Sequence, residues 1–125
     1  MPDSARRVLG TRGEDAAVAW YRSASYDILA RNWRCDDGEL DGVAHAAADD
    51  VVVFCEVKTR SSGEYGSPFE AVTPAKQRRL RRLATRWLQS RDRAGARYGR
   101  IRFDVAAVTS EPGGALVVEV LEDAF

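Results

Sequence analysis

The sequence predicts one α/β domain on a mixed central sheet, with elements in the order α-β-β-β-α-β-β. Three observations lead there. Three strand-like segments follow one another through short acidic joints; the third, VVVFCEVKTR, opens with five apolar residues; and a helix-length amphipathic stretch separates it from two more strands. Short joints suit antiparallel neighbours, a continuous apolar run suits a strand covered on both faces, and a helical connection suits a parallel crossover. The chain has 125 residues, 45% of them hydrophobic and 30% charged, so a single domain spanning residues 1–125 with one closed core is expected.

The first helix is expected from Thr11 to about Ser25. Thr11 with Glu14 three residues later fits a capping box, and Ala16, Ala17, Trp20 and Tyr21 or Ala24 recur at helical spacing. Ser25 stands where a Gly would ordinarily turn the chain. Strands follow at Asp27–Trp33, Gly38–Ala46 and Val51–Thr59, a three-stranded antiparallel meander. In the third, Val51, Val53 and Cys55 share one face and Val52, Phe54 and Glu56 the other. SSGEYGSPFEA reads as a loop leading to Thr73 as N-cap and Pro74 as first helical residue. Leu80, Leu83, Ala84, Trp87 and Leu88 then form the apolar stripe of a helix ending near Ser90, with Lys76, Arg78, Arg79, Arg81, Arg82 and Arg86 assigned to its polar face. Arg102–Thr109 and Ala115–Val120 are the last strands, turned by Pro112-Gly113-Gly114. A fourth strand parallel to the third calls for a right-handed crossover.

Composition narrows the function classes. No apolar run reaches the ~20 residues of a membrane span and the N-terminus lacks a signal-peptide stretch, so a cytoplasmic protein with no membrane partner is expected. Cys35 and Cys55 are the only cysteines and His45 the only histidine, which leaves no zinc set, disulfide framework or His-based triad. Trp20, Trp33 and Trp87 sit on amphipathic elements and read as packing residues. The net charge is zero, yet residues 74–102 hold eleven Lys or Arg against one acid, Asp92, leaving eight basic and eighteen acidic residues elsewhere. Such a block suits a surface facing an anionic partner, or a solvated helix face.

The informative residues are those that break a buried strand. Glu39 and Asp41 lie two apart on the second strand, and Glu56 and Lys58 do the same on the third. On neighbouring strands Asp41 and Glu56 approach one another, and two carboxylates in a partly buried site resist ionising unless a cation holds them. Mg²⁺ suits such a pair, and an ammonium on the same face, Lys58, suits orienting or deprotonating a water and offsetting phosphate charge. The plainer alternative is a same-face ion pair at the rim of a sheet.

GTRGEDAA, YDILARNWRCDDGELDGVA, VVVFCEVKTR, YGSPFEAVTPAKQRRLRR, RFDVAAV and the terminal EDAF occur in the order found in the YraN-type family of small bacterial proteins. The sequence resembles that family from Gly10 to Phe125. The family is assigned to the PD-(D/E)XK nuclease superfamily and looks related to archaeal Holliday junction resolvases. The resemblance implies a restriction-endonuclease-like core, with Asp41 as the motif Asp, Glu56 and Lys58 as the Glu-x-Lys pair, Glu14 as a helix-borne acid and Gln77 as a polar residue on the next helix. Gly42 departs from the bulky aliphatic residue usual after the motif Asp, which weakens that strand.

Residues and resemblance together point to metal-dependent hydrolysis of phosphodiester bonds in DNA. Asp41, Glu56 and the Val57 carbonyl are the expected ligands of Mg²⁺ or Mn²⁺. Lys58 is expected to position the attacking water. Glu14 either takes a second metal or a metal-bound water, or simply caps its helix. Gln77, near a helix N-terminus, contacts a phosphate or is merely exposed. Lys76, Arg78, Arg79, Arg81 and Arg82 are expected to hold the nucleic-acid backbone without reading bases. Asp104 reads as a supporting group or a partner for an Arg. Symmetric cutting of a branched or junction substrate calls for a two-fold homodimer. A non-catalytic nucleic-acid-binding module and a protein docking an acidic partner are the competing classes.

Overall fold

The computed structural model describes residues 2–64, 66–93, 95 and 97–125. The chain runs α1 (Asp3–Ser23), β1 (Asp27–Cys35), β2 (Gly38–Ala46), β3 (Val51–Ser61), a 3₁₀ turn (Pro68–Ala71), α2 (Pro74–Arg93), β4 (Arg100–Ser110) and β5 (Leu116–Leu121). The five strands form one sheet in the order β1-β2-β3-β4-β5. β1–β2, β2–β3 and β4–β5 are antiparallel, and β3–β4 is parallel across the α2 connection. This is the restriction-endonuclease-like arrangement that the resemblance implies.

β3 explains why its sequence is apolar without alternation. Val52 and Phe54 enter a cluster with Leu80, Leu83, Ala84 and Trp87 of α2, while Val51, Val53 and Cys55 enter a second cluster with Ala17 and Tyr21 of α1. Each helix thus covers one face of the sheet, and β3 is buried by both. Trp87 is buried, and Trp20 and Trp33 pack partly buried at the margins of the clusters. Cys55 is a free, buried thiol whose pKa burial pushes up to about 12, so it packs as an apolar group.

Three expectations need correction. α1 begins eight residues before Thr11, whose hydroxyl donates to the Arg7 carbonyl (3.1 Å) in mid-helix. The capping box therefore does not form: Ala5, Arg6, Arg7 and Leu9 are good helix formers that carry the helix upstream. The helix then stops at Ser23, and Ser25 takes φ +69°, the left-handed turn that a Gly ordinarily supplies. Second, SSGEYGSPFEA is not all loop, because Ser67 accepts the Phe69 N–H at 3.3 Å and starts the 3₁₀ turn; Tyr65 of that stretch lies outside the described residues. Third, Lys76 does not belong to the polar face of α2. It lies four residues before Leu80 and seven before Leu83, on the inward stripe, and is half-buried.

A buried carboxylate ties the layers together. Asp104 of β4 is 0% exposed and accepts from Tyr21 Oη (2.7 Å), Arg102 Nε and Nη2 (2.8 and 2.9 Å) and the Asp123 N–H (3.0 Å). It is the Arg partner anticipated from sequence. Burial, helped by Cys55 and Asp104, drives the Tyr21 phenol well above its ordinary range, so it stays a donor.

Candidate active site

The β2–β3 ladder runs from Ala46↔Val51 to Gly42↔Cys55. One further step in that register sets Asp41 opposite Glu56. There a side chain takes over from the backbone: the Val57 N–H donates to Asp41 Oδ2 at 2.9 Å. Leu40 and Val43, three apart, both pack in the α2-side cluster. Strict alternation therefore breaks at Asp41-Gly42, although Gly42 keeps its pairings to Arg31 and Cys55. A Cβ at Gly42 would meet nothing within 4 Å, so the missing aliphatic side chain leaves room beside the motif Asp without interrupting the strand.

The electrostatics of this corner are unfavourable to anions. Glu56 is buried at 8% exposure, and Asp41 is half-buried. Burial first, and then the Glu56 charge, push the Asp41 carboxyl from 3.8 to about 7, against the opposing Val57 N–H; Glu14 and Glu39 add to the rise. Lys58, half-buried, shares the face of Glu56 two residues along β3.

Glu14 approaches from α1. It is half-buried and, with Asp41, Gly42, Cys55 and Val57, lines a small cavity of about 20 Å³ between α1 and the sheet; Asn32 Nδ2 donates to its Oε2 at 3.3 Å. Gly13 makes that approach feasible. A Cβ there would stand 1.9 Å from Thr59 Oγ1 and 2.9 Å from Thr59 Cβ, so α1 lies on β3 only because residue 13 has no side chain. Sequence reasoning missed this role, whose signal was the Gly immediately before the helix-borne acid.

Among the described residues, no three His, Cys, Asp or Glu side chains converge closely enough to hold a metal ion. Glu14 therefore does not join Asp41 and Glu56 in one close set. The donor chemistry of the pair fits a hard divalent cation nonetheless: two oxygen ligands whose mutual repulsion a 2+ charge relieves, with remaining positions left to a carbonyl and water. Asp41, Glu56 and the Val57 carbonyl are the residues that would hold Mg²⁺ or Mn²⁺.

The basic helix divides into distinct roles. Lys76 Nζ lies 2.8 Å from Glu56 Oε1, with the two side chains 26% and 10% exposed. Thr73 caps α2, accepting the Lys76 N–H at 3.3 Å, and Gln77 Nε2 donates to the Val72 carbonyl at 3.1 Å. Arg78, Arg79 and Arg82 are exposed, while the Arg81 guanidinium lies over Phe103 and Phe125, 4.9 and 5.5 Å from the ring centroids. His45 stands apart from this corner, 2.9 Å from Asp50 Oδ1 near the far end of β2. No helix among the described residues is long and apolar enough to cross a membrane.

The profile of the family described as "Uncharacterised protein family UPF0102" matches residues 13–108, which include Gly13, Glu14, Asp41, Glu56, Lys58 and all of α2. The chain belongs to the UPF0102 family. A UPF0102 protein of Parafrankia sp. (strain EAN1pec) is 49% identical over 117 residues, 94% of this chain and 95% of the relative. One from Frankia alni (strain DSM 45986 / CECT 9034 / ACN14a) is 46% identical over 125 residues, covering 100% of both chains. One from Rhodococcus jostii (strain RHA1) is 46% identical over 117 residues, 94% of this chain and 95% of the relative. UPF0102 is the YraN-type family whose ordered motifs the sequence carries.

Proposed function

We propose that this UPF0102 protein is a metal-dependent nuclease that hydrolyses phosphodiester bonds in DNA. The observation that carries the reading is the placement of Asp41 across from Glu56 where the β2–β3 ladder ends, with Asp41 forced up to about 7 and Lys58 on the face of Glu56. A bound Mg²⁺ or Mn²⁺ would supply Lewis acidity, lowering the pKa of water and offsetting charge on the phosphate. Asp41 and Glu56 would hold it together with the Val57 carbonyl. Lys58, as an ammonium, donates to and orients the attacking water and offsets charge that develops on the phosphate. Gln77 at the start of α2 and the exposed Arg78, Arg79 and Arg82 hold backbone phosphates, which makes binding steeply salt-dependent and nearly indifferent to base sequence. Branched or junction DNA is the substrate the family resemblance favours, and symmetric cutting of it needs a two-fold dimer.

The test is cleavage of labelled four-way junction, flap, duplex and single-stranded DNA with Mg²⁺ or Mn²⁺, by the wild type and by folded Asp41→Ala and Lys58→Ala variants. Metal-dependent cutting that both variants lose supports the nuclease. No cutting, with equal DNA binding by all three proteins, refutes it. One observation favours the second reading, a binding module without catalysis: the 2.8 Å Lys76–Glu56 pair, in which an acid of the site balances the basic helix.

A further inference from the structure

Lys76 stands where general rules place it poorly. It occupies the first turn of α2, the positive end of the helix dipole, where a cation is disfavoured, and that turn holds no acid to offset it. It also lies on the stripe that leads into Leu80 and Leu83, where an apolar residue would continue the packing. What holds it there is Glu56: the ammonium reaches Oε1 at 2.8 Å, and the carboxylate it meets is almost wholly removed from water. An unpaired ionised carboxylate in that position is costly, and a hydrogen-bonded cation relieves it.

Resting on the nuclease reading, we infer that Lys76 is the resident counter-cation of the metal site, occupying Glu56 until a divalent ion displaces it. Only one of these cations takes Oε1 at a time, so the ion pair competes with metal. If Lys76 holds Glu56 about nine-tenths of the time, the apparent metal affinity is about tenfold below that of the open site. Lys76 is thus a positioning residue toward metal, distinct from Arg78, Arg79 and Arg82 of the same helix, which are exposed.

The test is direct Mn²⁺ titration without DNA, read from the spin-resonance signal of unbound ion, on the full chain. Lys76→Met keeps the length of the stem and removes the charge; Lys76→Arg keeps the charge; Arg79→Met removes an exposed cation of the same helix. Tighter Mn²⁺ binding by about tenfold in Lys76→Met, with Lys76→Arg within about twofold of wild type and Arg79→Met little changed, supports the inference. Equal affinity in wild type and Lys76→Met overturns it while leaving the metal site standing. An equal gain in Arg79→Met overturns it in favour of a diffuse charge effect. Absence of Mn²⁺ binding in every variant overturns it together with the nuclease reading. Because Lys76→Met leaves Glu56 without its partner, its stability is followed in parallel: a larger thermal shift with Mn²⁺ than in wild type is expected, and if the variant is unfolded without metal, failure of Mn²⁺ to restore folding overturns the inference.

Discussion

Replacing Asp41 by Asn removes a carboxylate that the fold holds in an unfavourable place. The amide oxygen still accepts the Val57 N–H, so the 2.9 Å contact is retained and only the charge is lost. With the carboxyl raised from 3.8 to about 7, the folded protein keeps a proton that the unfolded chain has already released between those values. Wild-type stability is therefore greatest in acid with respect to this group and falls as pH rises from about 4 to about 7. The full rise corresponds to about 4 kcal/mol, and partial contact with water reduces that to roughly 2 kcal/mol. The assay is urea unfolding followed by Trp fluorescence, reported by the buried Trp87, at acidic and neutral pH with and without Mg²⁺. Asp41→Asn should match wild type in acid and exceed it by roughly 2 kcal/mol at neutral pH without metal. Mg²⁺ at about a hundredfold excess over its dissociation constant should return ~2.7 kcal/mol to the wild type and little to the variant. A variant less stable than wild type at neutral pH, or a wild type indifferent to Mg²⁺, would refute the reasoning.

Three other substitutions report on the supports of the site. Gly13→Ala forces α1 off β3, because Thr59 backs directly onto the missing Cβ; a loss of about 2 kcal/mol in urea unfolding is expected, partly recovered in Gly13→Ala/Thr59→Ala. Gly42→Ala meets only open space in an extended strand and should raise stability by about 0.5–1 kcal/mol, measured as the shift in urea midpoint at constant slope. Tyr21→Phe deletes the 2.7 Å donor to Asp104 and should cost about 1–3 kcal/mol, while Arg102 and the Asp123 N–H hold the carboxylate in place.

Where each feature was legible follows from how it is encoded. β2 was readable to the residue because turn chemistry bounds it at both ends, at Asp36-Asp37 and Asp49-Asp50. The opening turns of α1 were not, since residues such as Val8 remain solvent-exposed and no apolar stripe marks them, while Thr11 and Glu14 mimicked a start. The four-residue 3₁₀ turn is too short to carry a period. At the site, two residues apart on each of two adjacent strands was enough to bring Asp41 and Glu56 together, because register follows from the hydrophobic pattern. The inward placement of Lys76 was encoded by its spacing from Leu80 and Leu83, but its charge argued for the polar face. Gly13 beside Glu14 was a visible signal, but its reason was not, because close approach depends on a residue of another element, Thr59.

Glu56, Val57 and Lys58 belong to the strand that both helices cover, paired on its other side to β4 along its whole length, from Val51↔Arg100 to Ser61↔Ser110. Backbone so enclosed opens only in the rarest, near-global excursions, on timescales far longer than those of side chains at the surface. Ion exchange at this corner need not wait for such an opening. On the Lys76 inference it waits only for the Lys76 side chain to leave Glu56, a change of rotamer that requires no movement of the strand carrying the carboxylate.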